Sequence, residues 1–251
     1  MVRRPVAEAT AVFLASRSGS GPLLLVAAVE FEARALACQL GLHGREGGGL
    51  VIRAAGLGAG RLRQAGEEWA AMRPAAVLSV GLAGGCAPDV RSGELVLATA
   101  VGPRAGGEWL DADAGLAARA RAALAAVPLP HRLGRLLTAG AVVATPAAKA
   151  EVWARHAAVA VDMESAHVLA WAMAAGVPAL AVRAVADGPH DSLPPALLGA
   201  LRPDGSVRPG ALLGWLGRPR LLAAAWRAWR QSAAALDHLA RFLAAFAAVR
   251  P

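Results

Sequence analysis

Unbroken apolar runs of strand length alternate along the chain with segments of helical spacing. GPLLLVAAV (21–29) has no polar alternation, and such a run behind Gly-Pro predicts a strand buried on both faces. FEARALACQLG (31–41) follows with helical periodicity and a Gly stop. LVIRAAG (50–56), AAVLSVGLAGG (75–85) and ELVLATAVG (94–102) predict further strands, with a helix over RLRQAGEEWAAMR (61–73). Residues 111–127 are Ala-rich up to Pro128 and predict a helix. Further on, TAGAVVAT (138–145) predicts a strand, AAKAEVWARH (147–156) a helix and AAVAVDM (157–163) a strand. That strand runs into the helix ESAHVLAWAMAAG (164–176), and PALAVRAVAD (178–187) is the last strand. The alternation predicts an α/β fold of three layers, α/β/α, around a central, mostly parallel mixed sheet, with ligands bound beyond the carboxyl ends of the strands. Residues 1–21 read as an N-terminal extension and 22–251 as a single domain. That domain closes with a long amphipathic helix over about 219–249. Leu222, Trp226, Trp229, Ala233, Leu236, Leu243 and Phe246 share one side of it, and Arg220, Arg227, Arg230, Gln231, Asp237, His238 and Arg241 the other.

Composition narrows the classes. With 56% hydrophobic and 18% charged residues in 251, the chain is globular and not disordered. Cys38 and Cys86 cannot form a disulfide framework, and no Cys/His spacing fits zinc. No apolar run of membrane-spanning length is free of charge. The net charge of +8 lies mostly in the C-terminal segment, where residues 195–251 hold eight Arg against Asp204 and Asp237. A nucleic-acid surface would interleave such cations with aromatic platforms, and only 4% of the chain is aromatic, so no nucleic acid is expected. An anionic membrane surface suits a basic, Trp-bearing segment better, although packing of its apolar stripe on the sheet is the favoured reading. Lys149 is the only lysine among the 26 basic residues.

The chemistry falls to carboxylates. GLGAG (56–60) lacks the dinucleotide spacing, and no phosphate loop, H-E-x-x-H or G-x-S-x-G motif occurs. Glu32, Glu164 and Asp187 each close an apolar strand, where a carboxylate is costly unless paired or used. For Glu32 and Glu164 the alternative is stabilisation of a helix first turn.

Four motifs, AAVEFEA (27–33), SVGLAGG (79–85), VDMES (161–165) and AVRAVAD (181–187), occur in order. With them the chain resembles the nucleoside phosphorylase and nucleosidase superfamily, methylthioadenosine/S-adenosylhomocysteine nucleosidases included, from about residue 23 to 187. From Lys149 through AVRAVADGPHDSLPPALLGALRPDG and the Leu/Ala/Arg-rich tail it is similar to the hopanoid-associated adenosylhopane nucleoside phosphorylases. The resemblance implies that Asp187 is the general acid at purine N7. Glu164 would accept hydrogen bonds from the ribose hydroxyls, and Met163 would pack on the sugar. Gly81, Gly84 and Gly85 would let backbone N–H groups approach ribose or phosphate, and Arg34 and Gly58 would bind phosphate, although a surface arginine is the favoured alternative for Arg34 in so Arg-rich a chain. Glu32 stands where nucleosidases carry the carboxylate that activates water. Arg183 would either hold Asp187 or pair with another acid, the second being favoured.

The subgroup implies phosphorolysis by a purine nucleoside phosphorylase, a pentosyltransferase of hopanoid biosynthesis. It would release adenine and a hopane-linked ribose 1-phosphate, with inorganic phosphate as co-substrate and no metal or organic cofactor. The expected partners are a small, lipid-linked nucleoside and further copies of the chain in a homo-oligomer. The expected location is the cytoplasm, with peripheral contact at the inner membrane face if the tail serves that purpose. Hydrolysis of methylthioadenosine, S-adenosylhomocysteine or futalosine is the alternative, supported by Glu32 and opposed by Leu82 and the tail. A non-catalytic nucleoside-binding module is the other, opposed by the presence of all three carboxylates.

Overall fold

The computed structural model describes residues 21–42, 44–56, 59–103, 107–200, 208 and 218–249. The expected N-terminal extension therefore lies almost wholly outside the described residues. The strands are β1 (Leu23–Ala27), β2 (Glu46–Gly47), β3 (Leu50–Ala54), β4 (Ala76–Gly85), β5 (Leu95–Gly102), β6 (Leu110–Asp111), β7 (His131–Thr138), β8 (Ala158–Asp162) and β9 (Ala179–Asp187). The helices are α1 (Glu30–Gln39), α2 (Ala59–Ala71), α3 (Ala114–Ala126), α4 (Pro146–His156), α5 (Ser165–Ala174), α6 (Pro195–Ala200) and α7 (Pro219–Ala248).

The unbroken apolar runs become strands covered on both sides. In β1, Leu23, Leu25 and Ala27 face one core, while Leu24 and Val26 face the other. The first core is closed by α1, α3 and the C-terminal half of α7, through Leu36, Leu124, Leu236, Phe242 and Phe246. The second is closed by α5 and α2, through Val168, Leu169 and Trp69. This is the three-layer α/β/α arrangement. Parallel pairs join β3, β1, β4 and β9, and also β5, β7 and β8, while β9 meets β5 antiparallel. The sheet curls far enough for β8 to meet the end of β4, with Gly84 opposite Val161. That closure gathers the carboxyl ends of β1, β4, β8 and β9.

Two elements differ from expectation. The strand expected over 138–145 ends at Thr138 and begins upstream at His131. The apolar residues Ala141, Val142 and Val143 line a cavity instead of entering the sheet. The stripe on α7 also divides: Leu236, Leu243 and Phe246 are buried, whereas Leu222, Trp226 and Trp229 are exposed. Burial starts only at Ala235, so the expected packing of the whole stripe on the sheet holds for the second half alone. Among the described residues no helix is long and apolar enough to cross a membrane.

Candidate active site

The gathered strand ends open on a cavity of about 440 Å³, whose wall includes Glu32, Asp162, Met163, Glu164 and Asp187. Its described lining contains no Arg, Lys or His, and its rim is apolar, with Phe31, Val142, Leu193 and Trp229. Trp229 and Phe31 are each about half exposed.

Glu32 sits in the first turn of α1 and is 4% exposed. Its Oε2 accepts from the backbone N–H of Ala28 at 3.0 Å and of Val29 at 3.4 Å, and its Oε1 accepts from Leu82 N–H at 3.0 Å. Helix capping and a place in the site are thus one arrangement. Burial pushes its proton affinity up, against the pull of Arg183 and these N–H donors. Gly81, between them at φ +141°, is what lets Glu32 and Arg183 approach: a Cβ there would stand 2.5 Å from Arg183 Nη1 and 2.6 Å from Glu32 Oε2. Strain and overpacking combine, so Gly81→Ala is expected to cost at least about 2 kcal/mol of stability. Urea unfolding checks this, and an unchanged midpoint would contradict the packing described.

Arg183 is fully buried and bonds Asp162 Oδ2 at 2.8 Å, both Ser165 and Ser79 hydroxyls, and Val80 O. It pairs with Asp162, not with Asp187. The alternation that would align residues 183 and 187 is broken where β9 slips register against β4 and Gly84 pairs directly with Asp187. Asp162 is further held by Thr138 Oγ1 at 2.8 Å and Ser165 N–H at 3.2 Å.

Glu164, 5% exposed, has no such partners at one oxygen: its Oε1 is buried without a hydrogen bond. An unpartnered buried carboxylate oxygen on a cavity wall is a costly arrangement that a ligand hydroxyl would relieve. Burial pushes the Glu164 carboxyl up to about 7, opposed by Arg183 and reinforced by Asp162 and Glu32. One guanidinium faces three buried carboxyls, so they cannot all ionise cheaply. The ionised form of Glu164 accepts from ribose hydroxyls through both oxygens, whereas protonation turns one of them into a donor, and the free protein loses the ionised form as pH falls through about 7. The KM for a nucleoside is therefore expected to rise as pH drops below about 7, approaching tenfold per unit. Glu164→Gln should flatten that dependence, and a flat wild-type KM across this range would contradict the role.

Asp187, at the end of β9, faces the same cavity. Its Oδ2 accepts from Lys149 Nζ, which is fully buried and also donates to Gly188 O at 2.6 Å and Asp191 O at 3.0 Å. Burial raises the Asp187 proton affinity, and the Lys149 ammonium works against it.

The sequence profile of the Phosphorylase superfamily matches residues 33–196. The chain belongs to this superfamily. No curated protein matches the sequence. Among solved structures, 5′-methylthioadenosine/S-adenosylhomocysteine nucleosidase from Helicobacter pylori is 15% identical with a TM-score of 0.68, covering 91% of this chain and 98% of that one. Futalosine hydrolase of the same organism is 14% identical with a TM-score of 0.67, covering 90% and 97%. The Neisseria meningitidis nucleosidase is 18% identical at 0.65, covering 90% and 98%. At these identities the likeness is one of fold.

These findings correct the phosphorolytic expectation. The solved structures named above are nucleosidases and a hydrolase, not hopanoid-linked phosphorylases, which sets aside the transferase, glycosyltransferase and hopanoid-biosynthesis readings and, with them, phosphate as co-substrate. The site of this superfamily member agrees on electrostatic grounds, because a phosphate dianion would face four carboxyl side chains and no described cation on the wall. Arg34 instead lies on the surface in an i,i+4 pair with Glu30 at 2.9 Å, its side chain 73% exposed. Gly58 lies outside the described residues. The Gly81 to Gly85 segment is the end of strand β4, in keeping with the strand expected over 75–85, and its Leu82 N–H is committed to Glu32. Of these glycines Gly84 lines the cavity, while Gly85 makes room for Val90 and Val185, whose Cγ1 atoms would lie 2.6 and 3.0 Å from a Cβ. No cluster that could hold a metal occurs among the described residues.

The structure thus brings Glu32, Met163, Glu164, Gly84 and Asp187 to one cavity, and sets Arg34 apart. Sequence reasoning missed the partnership of Lys149 with Asp187 and the aromatic rim. The signal for the first was a single lysine in an arginine-rich chain; the second had none that separates it from the strand expected over 138–145 and the apolar stripe of the last helix.

Proposed function

We propose that this protein hydrolyses the N-glycosidic bond of a purine nucleoside carrying an apolar 5′ substituent, of the methylthioadenosine type. The observation that carries the reading is the convergence of four buried carboxyl groups, Glu32, Asp162, Glu164 and Asp187, on one cavity, with Glu164 Oε1 left without a partner. Leaving-base departure needs a proton, and burial, which raises the proton affinity of Asp187 against the pull of Lys149, suits that carboxyl to deliver it. Charge developing on the ribose needs an anion, and Glu164 supplies it while accepting from the sugar hydroxyls. The nucleophile is water, and Glu32, held by three N–H donors against the cavity, takes its proton. The balance closes: hydroxide adds to C1′, the purine leaves with the Asp187 proton, and the proton on Glu32 returns the pair to its starting state through solvent. The apolar rim of Phe31, Val142, Leu193 and Trp229 favours an uncharged 5′ group over the charged tails of S-adenosylhomocysteine and futalosine.

The test follows adenine release from methylthioadenosine with and without phosphate, and identifies the sugar. Adenine and free methylthioribose, formed at equal rates in both conditions, are expected. A phosphate-dependent sugar 1-phosphate, or no adenine at all, would overturn the proposal.

A further inference from the structure

Lys149 is the one lysine in a chain otherwise rich in arginine, and it is completely buried in the first turn of α4. Its environment explains why arginine does not serve there. Three oxygens, Asp187 Oδ2, Gly188 O and Asp191 O, converge on a single nitrogen. An ammonium has three donors around a compact charge, whereas a guanidinium spreads five donors in a flat fork. The turn that carries these oxygens is itself closed by Gly188 N–H donating to Asp191 Oδ2 at 2.8 Å. It is tied to the start of α4 by Leu193 N–H donating to Ala144 O at 2.9 Å. Lys149 thus clamps the end of β9 to α4 and leaves Asp187 Oδ1 as the oxygen it does not hold.

We propose that Lys149 is a positioning residue for the reaction, acting through Asp187 by fixing its carboxyl toward the cavity and stabilising the carboxylate left when the proton passes to the purine. This rests on the general-acid reading of Asp187. In the step itself, the Asp187 O–H bond breaks, the proton goes to a ring nitrogen of the leaving base, and the C1′–N bond electrons stay with the base. Asp187 becomes an anion beside an ammonium already in contact with it. Without that cation, the anion would form in a buried setting, where it is disfavoured. The other ionisable groups near the pair are Asp191 in the turn, which opposes ionisation of Asp187, and the Cys86 thiol just past β4. Burial pushes that thiol to about 12, so it is neutral throughout the working range.

The experiment compares Lys149→Met, Lys149→Gln and Lys149→Arg in the full chain, each checked for folding by circular dichroism, and repeats the first two in an Asp187→Asn background. Expected for Lys149→Met and Lys149→Gln is a loss of about ten- to hundredfold in kcat with KM nearly unchanged. The alkaline limb of the kcat profile should move to higher pH, because an acid deprived of its cation holds its proton longer. In the Asp187→Asn background the same substitutions should have no further effect on kcat. Lys149→Arg should not restore activity. Lys149→Gln keeps two N–H donors for the carbonyls, so it reads the profile even where the Met variant does not fold. An unshifted alkaline limb, or losses that multiply in the double variants, would overturn the proposal while leaving Asp187 as the acid. Full activity of Asp187→Asn alone would instead overturn the general-acid reading on which it rests.

Discussion

Asp187→Asn is expected to lower kcat for adenine release by about 10²–10⁴-fold, the usual contribution of a positioned general acid. The substitution is nearly isosteric, so the cavity keeps its shape and the Asn carbonyl can still accept from Lys149. What it removes is a proton on a group whose burial keeps it protonated longer than an ordinary aspartate. An adenine leaving without that proton would carry a negative charge into a site already walled by Glu32, Asp162 and Glu164. The penalty is therefore expected in kcat and not in KM, since the bound nucleoside is neutral before the bond breaks. Asn is also the weaker partner for the buried Lys149 ammonium at any pH where Asp187 is ionised, so the unfolding midpoint is expected to fall there. Steady-state kinetics on protein shown to be folded separates the effects. Loss confined to stability, with kcat intact, would remove Asp187 from the chemistry.

How much of this could be read before the fold was known depends on whether the determining contact is local. Strands β1, β4, β8 and β9 were legible because residues buried on both faces must be apolar without alternation, and Leu23 to Ala27 satisfy that in any sheet order. The acids closing those strands were legible for the same reason, as breaks in the apolar pattern. The run at 138–145 misled because an apolar wall for a ligand and an apolar strand look alike in sequence; β7, with Arg132 and Arg135, looks less like an interior strand than the segment after it. The periodicity of α7 was right over its whole length, but which half is covered depends on where the sheet ends, and that is a tertiary fact. Lys149 and Asp187 are 38 residues apart, and no local rule brings them together. The same holds for Gly81, whose need for a missing side chain arises from Glu32 and Arg183 on two other elements.

Glu32→Gln is the second substitution expected to abolish most activity, again by about 10²–10⁴-fold in kcat. Its cause differs from that at Asp187. Glu32 uses both oxygens as acceptors for N–H groups from two directions, Ala28 and Val29 on one side and Leu82 on the other. An amide has one acceptor oxygen, so Gln can satisfy only one side and must turn its NH₂ toward a donor on the other, at a cost of about 1–3 kcal/mol. More important for rate, an amide does not take a proton from water. A phosphorylase would be indifferent to this loss, since phosphate attacks as an anion and needs no base. Glu32→Ala therefore offers a sharper reading than Glu32→Gln alone. It opens space where the carboxylate stood, and added azide, an anion that attacks without deprotonation, is expected to restore adenine release and yield a ribosyl azide. If Glu32→Gln retains near-wild-type hydrolysis, water is activated by another group. If Glu32→Ala is inactive and azide does not restore it although the protein is folded, the carboxylate serves the architecture around Gly81 and Arg183 and not the nucleophile.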